Sequence, residues 1–126
     1  MSYQLTLYIP RKPLIGRDAE RVVDCHDCLR FDQDYNILGQ FTDAIDCVPT
    51  IIRGQPLPQD CEIRIYGEEG EETTYYDRSG NPLTYVYAEE LKRQLHIPDD
   101  VSPWNRAMKA FIDALPPRTA IVLMWH

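Results

Sequence analysis

Residues 119–125, TAIVLMW, form an apolar run unbroken after Thr119. The run is far below the roughly 20 residues that a membrane span requires. Read as a strand, it offers neither face to water, so it belongs inside a sheet, next to the first strand or to a central meander. Covering one of its faces falls to the segment that precedes it. There Ser102 is placed as an N-cap and Pro103 as the first helical residue. Trp104, Met108, Phe111 and Leu115 then recur at spacings of four, three and four, and Pro116 and Pro117 stop the helix. The expected helix over 103–115 packs across the sheet with that stripe inward.

Other segments supply the remaining elements. YQLTLYI (3–9) alternates, placing Tyr3, Leu5, Leu7 and Ile9 on one face of a strand. RVVDCHDCLR (21–30) is a second strand or a loop. CEIRIY (61–66) alternates with Cys61, Ile63 and Ile65 together, and GEEGEE follows as a solvated hairpin tip. TTYYD (73–77) and LTYVY (83–87) flank the turn sequence DRSGN, completing a Tyr-rich meander. AEELKRQL (88–95) is a second helix, closed soon after by Pro98. The order strand, irregular region, meander, two helices, strand predicts an α+β fold with a mixed or antiparallel sheet, in one domain over residues 1–126.

Charge narrows the function. The chain has 20 acidic and 13 basic residues, a net charge of −7, and no cluster of Lys and Arg in sequence. Direct binding to nucleic acid is therefore not expected. Neither is a membrane partner, and without a basic leader at the N-terminus a cytoplasmic protein is expected. In a reducing compartment the four cysteines are free thiols or metal ligands rather than disulfides.

Four candidate sites stand out. Cys25 and Cys28 have the C-x-x-C spacing that lets two thiolates reach one zinc ion, but a second such pair is missing. The expectation is that these cysteines pack as small apolar residues, with no cofactor, and that a zinc-stabilised domain is the alternative. His26, between Asp24 and Asp27, would be the general base of a small enzyme, a further alternative; no catalytic motif accompanies it. Asp32, Asp34 and Asn36, with Asp43 at the twelfth position, resemble a calcium loop. Ile37 stands where that loop needs glycine, which favours a short helix capped by Asp34 with Ile37, Leu38 and Phe41 inward. Finally, Tyr76, Tyr85 and Tyr87, with Arg53, Asp77 and Arg78, are the expected binding surface. Tyrosine faces beside arginines suit either a stacked base with its phosphate or a protein interface.

Three short stretches carry a family likeness. DYNILGQF holds Tyr35, Asn36, Ile37 and Leu38; RGQPLPQD holds Arg53, Gly54, Pro56 and Asp60; LTYVYAEEL holds Thr84, Glu90 and Leu91. Over residues 34–91 the chain resembles a family of small tailed-bacteriophage proteins. It departs from the family pattern at Gln33, where an arginine is usual, at Leu38, where a phenylalanine is usual, and in lacking a V-R after Phe41. The resemblance implies a phage origin and action in the host cytoplasm. With no catalytic motif, the expected function is that of an accessory or counter-defence protein. It would act by stoichiometric binding of a host protein or a small nucleotide signal.

Overall fold

The computed structural model describes residues 3–126. Its elements are β1 (Leu5–Ile9), β2 (Val22–Cys25), β3 (Asp27–Arg30), α1 (Tyr35–Leu38), β4 (Gln55–Pro56), β5 (Glu62–Gly67), β6 (Gly70–Thr74), β7 (Thr84–Tyr87), α2 (Ala88–Gln94), α3 (Pro103–Ala114) and β8 (Ala120–Trp125). The fold is α+β, with one five-stranded sheet in the order β3-β1-β8-β7-β4 and one three-stranded sheet in the order β2-β5-β6. All pairings in the larger sheet are antiparallel, while β2 runs parallel to β5 in the smaller one.

The C-terminal run lies at the centre of the larger sheet, as its composition demands, between β1 and β7. Its two faces enter two separate cores. Ile121 and Leu123 pack with Leu5, Leu7, Val86 and the helices. Ala120, Val122 and Met124 pack with Val23, Ile63 and Ile65 of the smaller sheet. The molecule is thus three layers deep: helices, larger sheet, smaller sheet. Each fully buried side chain of this kind contributes about 1.5–3 kcal/mol relative to exposure.

The first strand keeps its expected inward face, with Leu5, Leu7 and Ile9 buried and Tyr3 packed against them. Cys61, just before β5, and Ile63 and Ile65 within it are likewise buried together. The GEEGEE segment is the β5–β6 hairpin, whose reversal uses Gly70 at φ 107°, a left-handed conformation in which a side chain is strained. Asp34 caps α1 by accepting from the Asn36 N–H, and Ile37, Leu38 and Phe41 are buried. Ser102 caps α3 with Pro103 in its first turn, also as expected.

Three features differ from the sequence reading. The segment 21–30 is neither one strand nor a loop: it crosses between sheets at His26, so β2 belongs to one sheet and β3 to the other. The meander is divided in the same way. β5 and β6 pair in the smaller sheet, but after the DRSGN turn β7 enters the larger one, leaving only a Tyr76–Pro82 bridge between the flanks. The helix α3 is also rotated from its expected seat. Asn105 and Ile112 are buried, while Trp104 and Phe111 stay 53% and 47% exposed.

The reason for that rotation is polar. The Asp32 N–H donates to Asn105 Oδ1 at 2.7 Å, and Asn105 Nδ2 donates to the Asp32 carbonyl at 3.2 Å. Trp104 Nε1 donates to the Arg30 carbonyl on the outer strand at 2.8 Å. Asn105 is buried, and a buried polar side chain without partners is costly, so these bonds outweigh burial of two aromatic rings.

Candidate functional site

Three chain segments meet at one end of the larger sheet. There β1 ends at Ile9, β7 ends at Tyr87 and β8 begins at Ala120, with Tyr8 opposite Val122 and Tyr87 opposite Ala120. The loops that leave this end are short of conformational freedom because of Pro10, Pro13 and Pro116. Between them lies a cavity of about 460 Å³, in the size range of small-ligand sites.

The lining contrasts with the rest of the protein. In a chain of net charge −7, it presents Arg11, Lys12 and Arg118 and no carboxylate. The Arg118 guanidinium lies over the Tyr87 ring with Cζ 4.0 Å from the centroid. Tyr85 supports Tyr87 from beneath, edge to face at 5.7 Å and 85°. The other walls are apolar, from Pro10, Pro13, Ile15 and Pro116.

Each cation has an acidic neighbour outside the cavity. Arg11 Nε donates to Asp27 at 2.7 Å, Lys12 Nζ to Glu20 at 2.6 Å and Arg118 Nη1 to Glu89 at 3.1 Å. The cationic side chains are 76%, 62% and 71% exposed, so solvent screens these pairs and they contribute little to stability. Hydrogen bonds to Asp27 and Glu20 raise the Arg11 and Lys12 pKa values, so both remain charged.

The expected binding residues are dispersed. Tyr85 is 2% exposed and Tyr87 half-buried, both facing the core between the sheets. Tyr76 is 54% exposed and lines a separate hollow with Arg21, Asp60 and Glu62, where charges are mixed. Arg53 pairs with Asp43 at 3.1 Å, next to Gly54 and therefore by Thr84, at the opposite end of β7 from Tyr87. Asp77 is buried, and its carboxylate accepts from the Ser79 and Asn81 N–H groups at 2.9 Å, anchoring the DRSGN turn. Arg78 makes a two-pronged pair with Glu72 at 2.6 and 2.7 Å.

Cys25 and Cys28 are separated by the sheet crossing at His26. Cys25 is buried between the sheets and Cys28 is exposed on the outer strand. Burial, with Asp24 and Cys61 adding, pushes the Cys25 thiol up to about 12. Among the described residues, no group of three or more His, Cys, Asp and Glu side chains gathers to hold a metal. His26 stacks on Tyr66 at 4.3 Å, and its flanking acids serve others: Asp24 accepts from Tyr66 and Arg64, Asp27 from Arg11.

Of the expected binding residues only Tyr87 lines this cleft; Arg118, Arg11 and Lys12, which line it too, were not among them. The available signal was the proline framing, PRKP at 10–13 and PPR at 116–118, which marks two stiff basic loops. That both arrive at one place depends on the pairing of β1 with β8. No family model, curated protein or solved structure matches the chain. Among the described residues no helix is long and apolar enough to cross a membrane.

Proposed function

We propose that this is a non-enzymatic, phage-encoded accessory or counter-defence protein that captures a small nucleotide-like anion stoichiometrically in the host cytoplasm. The observation that carries the reading is the cleft at Tyr87, with three cations, no lining acid and Arg118 lying over the Tyr87 ring, on an otherwise acidic protein. The resemblance over residues 34–91 supports the phage setting.

A second reading, capture of a host protein, is favoured by Trp104 and Phe111. They are exposed beside Leu29 and Met108 around an apolar hollow of about 430 Å³. Native mass spectrometry after incubation with host extract separates the two. A 1:1 adduct of nucleotide size is the expected result. A protein-sized adduct abolished by Phe111→Ser would transfer the function to the α3 surface, and an unchanged mass would sink both readings.

A further inference from the structure

The charge and stacking pattern of the Tyr87 cleft specifies more than an anion. The three cations already face carboxylates at hydrogen-bond distance, so a ligand carboxylate would replace like with like and gain nothing. A phosphate group brings nearly two charges and three acceptor oxygens, and so displaces a carboxylate from Arg or Lys. Arg11 and Lys12 are adjacent in sequence on one loop wall, a pair of sites rather than a single one.

Arg118 has a different task. Its guanidinium carbon lies 4.0 Å from the centroid of the Tyr87 ring, over its face, and both groups line the cavity. Planar guanidinium groups and aromatic rings are the platforms on which nucleobases stack. The apolar rim of Pro10, Pro13 and Ile15 matches the flat, poorly hydrated body of a base.

We infer that the ligand is a nucleoside polyphosphate, or an equivalent nucleotide with two or more phosphate charges. Its base stacks on the Arg118–Tyr87 pair and its phosphates lie on Arg11 and Lys12. This rests on the nucleotide-capture reading above and adds the ligand class and its orientation.

The test is isothermal titration at low salt with adenosine and guanosine, their mono-, di- and triphosphates, and inorganic tripolyphosphate. The wild type is compared with Arg11→Ala/Lys12→Ala and with Arg118→Lys, all at exposed positions, with folding checked by circular dichroism. Affinity should rise with each phosphate. The double variant should lose that dependence and most of the salt sensitivity. Arg118→Lys keeps the charge but loses the stacking plane, so it should weaken nucleotides about tenfold while leaving tripolyphosphate unaffected.

Failure of every nucleotide to bind the wild type would overturn the capture reading itself. Two results would overturn only the orientation and ligand class. One is equal binding of nucleosides and triphosphates; the other is equal loss of tripolyphosphate and nucleotides in Arg118→Lys.

Discussion

His126 shows how one residue can set a pH response. Thr6, 1% exposed, accepts two bonds from Arg30, at 3.2 and 3.0 Å, through a hydroxyl with a single proton. The same hydroxyl lies 2.7 Å from His126 Nε2, and the two share a hydrogen bond. Partial desolvation of an otherwise exposed ring lowers the His126 pKa below its ordinary 6.5; Arg30 and Arg78 lower it further, and Asp77 opposes them. Below 6.5 the unfolded chain then binds more protons than the folded one. The stability that His126 contributes is present above that pH and is lost as pH falls through the depressed folded value. Urea unfolding from about pH 7.5 down to 5.5 should show declining stability, and His126→Gln should flatten the decline; an unaltered slope would exclude His126 as its source.

Elements were legible where periodicity and capping agreed, as for α1 and α3, whose cap residues the sequence marks directly. The orientation of α3 was not legible. Trp104 and Phe111 outrank Asn105 on any hydrophobic scale, yet the inward place goes to Asn105 because it alone pairs with both backbone groups of Asp32. Gln40 does the same for the chain between α2 and α3, donating to the His96 carbonyl and accepting from its N–H. Such clamps depend on partners 73 and 56 residues away, so no local pattern announces them. The RGQPLPQD loop has a similar dependence. A Cβ on Gly54 would lie 2.4 Å from Thr84 Oγ1 and 2.6 Å from Thr84 Cβ, where β4 docks on β7. Gly54→Ala should therefore destabilise by about 1–3 kcal/mol in urea unfolding, and a stability equal to wild type would show that this contact yields freely.

Across the whole molecule, the two sheets decide which reactive groups meet solvent. Cys25 and Cys61 are enclosed, and burial raises both thiol pKa values, while Cys28 and Cys47 are exposed. In native buffer, two thiols should react promptly with an alkylating reagent, and two only after denaturant opens the intersheet core. Four equally fast thiols would contradict the enclosure. The sequence by itself determined the α+β class, the caps, the alternating faces of β1 and β5 and the central place of the last strand. Each of these follows from side-chain periodicity and local backbone chemistry, which neighbouring residues contain in full. Only the tertiary structure decided that the chain changes sheets at His26 and again after DRSGN, because that choice turns on which distant apolar face each strand can cover. The same pairing joined the PRKP and PPR loops over Tyr87. Two weak basic signals, 107 residues apart between Arg11 and Arg118, became one cationic cleft because antiparallel β1 and β8 share an end.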